Sequence, residues 1–474
     1  MNVKHIALFS VFVLSASLLS SCTDKQFETR PSGLPTTDEF IGSYSKLQES
    51  LNAAYRGLAD GGAMGGQVQI INELQADDVD YIYVKRNDDY NSIYNHSTNL
   101  FLGPTRTVMS GLGNAIGRAN YTIQYIDQYA PTQADKDRMN GEARFLRAVA
   151  HFEQCRIFAQ PWGYTADNSH NGVSIHDSYQ IKPSERRSVK DVYAFVESDL
   201  KAAATLLPAN NGVYADKYAA KGYLAKVYFQ QNRYAEAYAL ADEVITAKGG
   251  YASLDSLSGR FNVATSTESV FSFVSNTTTA GNFNAGGAIQ GGTKKTSGDP
   301  PYSITFNGDL FASYAANDKR AKWLNLDGGT YALQKYATAG TTTPYISVAI
   351  VHLTELLLIR AECAAEMNNL ATAAADLTAL RTRAGLPPVS PSTQAQLITT
   401  ARLERRLEMV GEGNRLQDLK RIGAATARGV TALPVANLLI RNSPWNCNGM
   451  IPQIPDNESQ ANPNYPSNPT GGCN

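Results

Sequence analysis

The sequence predicts a mainly α protein, a helical body assembled from helix hairpins and interrupted by a loop-rich, irregular half. Three observations carry this. Apolar residues recur at helical spacing over long windows. Two well-separated segments share one hairpin pattern. Two other segments are polar, rich in tyrosine or glycine, and lack that periodicity.

The elements follow in order. Thr37–Ala59 opens on a Thr-Asp cap signal and spaces Phe40, Tyr44, Leu47, Leu51, Ala54 and Leu58 along one helical face. Leu102–Tyr129 and Gln133–Phe158 form a pair about Ala130-Pro131-Thr132. Ser188–Leu207 stops at Pro208, which cannot continue a helix. Tyr214–Gln231 and Tyr234–Lys248 make a hairpin about "QNR". Tyr345–Met367 and Leu370–Ala384 make another about "NN", and Ser392–Val410 follows. In both hairpins an Asn-centred turn is followed by small residues where a second helix must approach closely. These are Ala237 and Ala241 in one, Ala374 and Ala375 in the other. That pattern resembles the tetratricopeptide hairpin. "GLGNAIG" at Gly111–Gly117 nearly makes a dinucleotide fingerprint, but its third glycine is one residue late and no strand precedes it. It reads as a loop leading into a helix. The irregular segments are Glu73–Asn99, acidic and tyrosine-rich, and Tyr251–Pro344, which contains "AGNFNAGGAIQGGTKKTSGDPPYS". Long loops on a compact helical body are where binding residues gather.

Composition narrows the function. The 42 basic and 43 acidic residues nearly cancel over 474 positions. That excludes nucleic acid as the main partner, because phosphate binding needs clustered excess positive charge. The 25 Tyr outnumber the 16 Phe and 3 Trp; tyrosine suits half-polar ligands, though most of these rings are expected in helix contacts. At the N-terminus Lys4 precedes an apolar run, Ile6–Leu19, too short to span a bilayer. It ends in Leu19-Ser20-Ser21-Cys22, which looks like a bacterial lipoprotein signal with Cys22 as the acylated residue. The expected organisation is a signal peptide over 1–21, a lipid-anchored tether over 22–36 and the body over 37–474. Acyl chains contribute ~0.8 kcal/mol per buried methylene and hold such a body on a membrane without a spanning helix. Cys155 and Cys363 fall in helical contexts and are expected as buried free thiols. Cys447 and Cys473 lie in a Pro/Asn-rich tail, where a disulfide is permitted outside the cytoplasm.

Chemistry-bearing motifs are missing: there is no phosphate-binding loop, no H-E-x-x-H and no G-x-S-x-G. His151 and His352 are expected on helices; His170 and His176 share a loop without convincing metal spacing. Asp77, Asp78 and Asp80 offer carboxylates of the kind glycosidases use, but an acidic loop is more often solvated or a weak structural Ca²⁺ site.

Nine segments, in order, resemble the SusD/RagB outer-membrane lipoproteins across nearly the whole chain. They are Cys22, "LNAAYRGL" (51–58), "GEARFLRAVAHFEQCRIFAQPWG" (141–163), "RSVKDVYAFVESDLKAAATLLP" (187–208), "YAAKGYLAKVYFQQNRYAEA" (218–237), "TELLLIRAECAAEMN" (354–368), "LRTRAGLP" (380–387), "ERRLEMVGEGNRLQDLKRIG" (404–423) and "IPQIPDNESQANPNY" (451–465). The resemblance implies a SusD-like helical body with tetratricopeptide-like hairpins about 102–158, 188–248 and 345–384, and an irregular region about 251–344. It implies display on the outer face of the outer membrane, and partnership with a SusC-like TonB-dependent transporter. The implied ligand is an oligosaccharide or oligopeptide, bound without catalysis. Family contacts come from the regions matching Glu73–Asn99 and about Gly281–Tyr345. By residue type the candidates are Tyr81, Tyr83, Arg86, Tyr90, Tyr94, Asn95, Tyr302 and Trp323. The competing functions are a surface glycan hydrolase using the three aspartates and a tetratricopeptide-type protein scaffold.

The most charge-dense stretch, Leu403–Gly423, is expected to be structural. Leu403, Leu407 and Val410 form an apolar stripe, Leu416 and Leu419 begin a second, and Arg405/Glu408 and Arg415/Asp418 stand at i, i+3 spacing.

Overall fold

The computed structural model describes residues 42–80, 89–97, 99–180, 183–257, 260–261, 263–276, 304–327, 329–336, 345–390, 393–462 and 464–473. The signal, Cys22 and the tether lie outside them.

The first helix among the described residues, α1 (Tyr44–Ala59), begins later than Thr37. Ser43 caps it, its hydroxyl accepting from the Lys46 amide at 3.3 Å. A helix the sequence reading did not assign, α2 (Gln67–Gln75), follows and is buried on every side. Then come β1 (Val79–Asp80) and α3 (Asp89–Tyr94). The long pair α4 (Gly103–Tyr129) and α5 (Gln133–Phe158) matches its expected bounds, with Thr132 capping α5. The "GLGNAIG" segment lies in the interior of α4 rather than leading into it, because the helix begins at Gly103 and packs along α1 and α5. Next are α6 (Val189–Leu206), capped by Ser188, and α7 (Lys217–Gln230), capped by Asp216 through two 2.8 Å bonds. The hairpin partner of α7 is α8 (Tyr234–Ala247).

The central region holds strands where the sequence promised only irregularity. They are β2 (Ser269–Asn276), β3 (Thr305–Phe306), β4 (Leu324–Asp327), β5 (Thr330–Leu333) and β6 (Tyr345–His352), with a short helix α9 (Gly308–Ala312) between β3 and β4. One sheet runs β1-β3-β5-β4; β2 pairs antiparallel with β6. Strand β6 corrects the expected helix Tyr345–Met367, whose first eight residues are β. In "YISVAIVH" branched residues recur, and pairing with β2 buries Ile346, Val348 and Ile350 on one face. The helix α10 (Leu353–Glu366) starts only where the His352 ring caps the Glu355 amide at 3.2 Å.

Helix α10 turns into α11 (Leu370–Arg383), then α12 (Gln394–Glu408) and α13 (Arg415–Arg428). The two Asn-centred turns are left-handed at the asparagine, with φ of 59° at Asn232 and 62° at Asn368, a conformation Asn tolerates better than most residues. Ala237 and Ala241 are fully buried, as is Ala373. Ala374 is buried as expected but Ala375 is exposed, so the close approach in the second hairpin falls one residue earlier, on Ala373 and Ala374. A final hairpin, β7 (Leu439–Ile440) and β8 (Ser443–Pro444), turns on Arg441 and Asn442, both with positive φ, and α14 (Asp456–Ala461) follows. Cys447 and Cys473 form a disulfide, and Cys155 and Cys363 are buried free thiols.

Leu403–Gly423 is the heart of the packing, but not through the expected pairs. Leu403 is exposed, while Glu404, Arg405, Leu407 and Glu408 are buried. Glu408 is met by Arg320 at 3.2 Å, Arg260 at 3.4 Å and Arg383 at 2.6 Å. Arg405 reaches Asp418 at 2.8 Å and Glu355 at 3.1 Å, not Glu408. Arg415 reaches Asp77 at 2.7 Å, not Asp418. Local i, i+3 pairing loses because these side chains face other elements and are too buried to leave a charge unmatched. Between α12 and α13, Gly411 and Gly413 both take φ of 74°. A β-carbon on Gly413 would lie 2.7 Å from the Gln69 backbone, so glycine is required there. Lys335 donates into this turn, to the carbonyls of Glu408 and Val410 and to the Glu412 carboxylate at 2.6 Å.

Candidate functional site

The sheet brings together the flanks of the two segments from which contacts were expected. Val79 pairs with Phe306 and Asp80 with Thr305, so the chain entering residue 81 lies beside the chain leaving residue 303. Side chains lock the junction: Asn307 donates to the Asp77 carbonyl at 2.7 Å and Thr305 to the Asp80 carbonyl at 2.8 Å. Four candidates, Tyr81, Tyr83, Arg86 and Tyr302, fall on residues 81–88 and 301–303, outside the described residues.

Tyr90, Tyr94 and Asn95 are gathered on and just after α3. The helix is pinned by Ile93, which is fully buried, and by Asp89, whose carboxylate accepts from the Gly103 amide at 2.6 Å. Tyr90 is half-buried and its hydroxyl donates to Gln67 at 3.0 Å. Tyr94 is half-buried under the Arg441 guanidinium, 3.8 Å above its ring centre. Asn95 is exposed, its amide turned to Asn91 at 3.0 Å. The result is a patch of aromatic faces, one guanidinium and amide groups, the materials that recognise hydroxyl-bearing ligands. Arg441 was missed by sequence reasoning. It lies 347 residues beyond Tyr94, and no local motif marks it.

The turn beyond α3 is fastened to the C-terminal segment. His96 is buried, with φ of 52°; its ring meets Ser443 at 3.2 Å and the Gln75 carbonyl at 2.9 Å. Burial brings its pKa down to about 4, so the ring is neutral at neutral pH.

Trp323 is elsewhere. It is only 7% exposed, edge-on to Phe261 at 6.0 Å, with the Lys335 ammonium 4.3 Å from its ring centre. Its face is covered by the protein itself, which corrects its placement among surface contacts.

The three aspartates are also accounted for. Asp77 is held by Arg415 through two 2.7 Å bonds; burial alone would raise its pKa, but the arginine overcomes this and holds it below the usual carboxylate range. Asp78 is buried and bonded by Arg406 at 2.9 Å, with Arg415 3.6 Å away. Asp80 is exposed. Two of the three are thus committed to arginines that tie β1 to α12 and α13. Among the described residues no group of three or more His, Cys, Asp and Glu side chains is placed to hold a metal ion.

Two family models match the chain. The SusD family model covers residues 267–470, and a model described as starch-binding associating with outer membrane covers 28–229. Among solved structures, a SusD superfamily protein from Bacteroides vulgatus ATCC 8482 superposes with a TM-score of 0.76 at 19% identity, covering 90% of this chain and 99% of that one. A putative sugar binding protein from the same organism gives 0.74 at 23% identity, covering 90% and 98%. A laminarin binding SusD-like protein gives 0.69 at 22% identity, covering 90% and 99%. These likenesses show a shared fold. Among curated proteins nothing matches this chain significantly.

Proposed function

The chain belongs to the SusD/RagB family, and on that premise we propose that it is a lipid-anchored nutrient-binding protein of the outer cell surface. It captures oligosaccharides without transforming them and passes them to a SusC-like TonB-dependent transporter. The observation that carries this reading is the ordered match of both halves of the chain, one of them to a model described as starch-binding. Oligosaccharides take precedence over oligopeptides because both ligand-naming relatives, the sugar binding and laminarin binding proteins, name carbohydrate. Among the described residues no helix is long and apolar enough to cross a membrane; attachment is assigned to acylation of Cys22. The binding surface is assigned to the α3 patch, Tyr90, Tyr94 and Asn95 with Arg441, together with Tyr81, Tyr83, Arg86 and Tyr302. The hydrolase reading loses ground because a carboxylate held by arginines is poorly placed to exchange protons with a glycosidic oxygen.

A glycan array tests this, followed by reducing-end assays on every glycan bound and a pull-down from native membranes. The expected outcome is saturable binding of a glucan or related oligosaccharide, no release of new reducing ends, and recovery of a barrel transporter. Release of reducing ends that disappears in Asp77→Asn, or failure to bind any glycan, would overturn it.

A further inference from the structure

A cleft of 350 Å³ opens between α4, α5, Ser174, His176, Pro183 and α14, and shares no residue with the α3 patch. Its size suits a small ligand. Its walls include Met109, Gln154, His176, Glu458, Asn462 and Tyr465. Most polar groups here are already held by the protein. Gln154 donates to the Met109 carbonyl at 3.3 Å, Asn462 donates to the Ser184 carbonyl, and the Tyr465 hydroxyl accepts from the Ser174 amide at 3.3 Å. These bonds fix the side chains while leaving an amide oxygen on Gln154 and further lone pairs for a ligand.

Glu458 differs. It is half-buried on the cleft wall, among the described residues no hydrogen-bond donor or cation meets its carboxylate, and burial pushes its pKa up. Asp456, two residues earlier, is paired with Arg106, so the same short helix carries one satisfied acid and one unsatisfied. His176 does not supply the missing charge, since burial pushes its pKa down and keeps the ring neutral. A half-buried carboxylate without a partner is costly, and a ligand cation removes that cost.

We propose that this cleft is a second binding site, for a small hydroxylated ligand carrying a primary ammonium group, such as a single amino sugar. Glu458 receives the ammonium. Gln154 and Asn462 meet the hydroxyls, and Met109 and Tyr465 cover an apolar face of the ring. The site stands independently of the oligosaccharide surface.

Calorimetric titration of the whole protein at pH 7.5 with glucosamine, N-acetylglucosamine and glucose tests it. Glucosamine is expected to bind, and the two neutral sugars about tenfold more weakly, the scale of one charge-assisted bond. Glu458→Gln should weaken glucosamine about tenfold and leave the neutral sugars unchanged, whereas Tyr94→Ala should leave glucosamine binding as it was. Thermal melting confirms that each variant is folded. Should Glu458→Gln fail to fold, Ala461→Phe, which fills the cleft from an exposed position, must abolish glucosamine binding instead. Equal affinity for glucosamine and glucose, no loss on either substitution, or no saturable glucosamine binding would each overturn the proposal.

Discussion

Glu408 and Asn95 mark two regions of different construction. Glu408 is fully buried and met by Arg260, Arg320 and Arg383, each from a different part of the chain. Asn95 is exposed, directly after a six-residue helix, and its amide bonds within four residues of its own position. The first region joins the central strands, α11 and α12 into one body. The second presents aromatic and amide groups to solvent. Charge density therefore marks where the protein is held together. Function is sought where tyrosines are held half-exposed.

The largest expected effect tests the first half of that contrast. Glu408→Gln keeps the shape of the side chain but leaves three buried guanidinium groups short of a negative charge, a change that costs about 3–5 kcal/mol. Chemical denaturation should show this loss, while glycan affinity of the remaining folded fraction stays at the wild-type value. The arginines hold the Glu408 carboxyl down to about 2 against the effect of burial. A depressed carboxylate contributes stability above its ordinary range near 4.5, and that stability is lost as pH falls toward 2. Wild type should therefore destabilise over this acid window more steeply than Glu408→Gln.

The helices were legible in the sequence because their signals are local. Ser188 and Thr393 act as caps, Pro208 stops α6 from running on, and Asn232 and Asn368 turn their hairpins where expected. Strand β6 was not legible. "YISVAIVH" fits either a buried helix or a strand, and only pairing with β2, some seventy residues earlier, decides. The Leu403–Gly423 network was legible as structural but not in its pairings, because sequence spacing shows helix neighbours and not the Asp77 or Glu355 brought up by the fold. At the candidate site, residue type and region pointed to Tyr90, Tyr94 and Asn95. The same logic chose Trp323, which the fold buries, and passed over Arg441, which arrives from a distant hairpin.

Arg415 lies on the border between the two regions and is the sharpest test of whether they are separable. It holds Asp77 just ahead of β1, which leads directly into residues 81–88. Arg415→Ala should lower stability by about 2 kcal/mol, the scale of hydrogen bonds to a charged group, with a smaller loss of glycan affinity. A larger loss of affinity than of stability would show that this ion pair belongs to the binding surface. Asn95→Ala should give the opposite result. Its glycan affinity should fall about fivefold, the scale of one hydrogen bond, while stability moves within about 0.5 kcal/mol because the side chain is exposed. Paired melting and titration experiments on the two variants settle both.

The smallest effect is expected from the same chemical change made at another buried glutamate. Glu73 is 5% exposed, yet it accepts one hydrogen bond, from the Gly413 amide at 2.7 Å, and forms no ion pair among the described residues. Burial pushes its pKa up to about 8, so at pH 7 the carboxyl is largely protonated. Glu73→Gln preserves the acceptor for Gly413 and removes little charge from the folded state, and near pH 4, where the carboxyl is largely protonated in the unfolded chain as well, it should change stability by less than about 1 kcal/mol. The sign then depends on pH. A raised carboxyl favours folding below its ordinary range and loses that contribution as pH rises from near 4.5 through 8, while glutamine has nothing to ionise. The variant should therefore gain on wild type progressively as pH rises from near 4.5 toward 8, and the difference should level off above 8. If Glu73→Gln instead costs as much as Glu408→Gln at pH 7, Glu73 is ionised in the folded protein, and burial near this turn does not distinguish paired from unpaired acids.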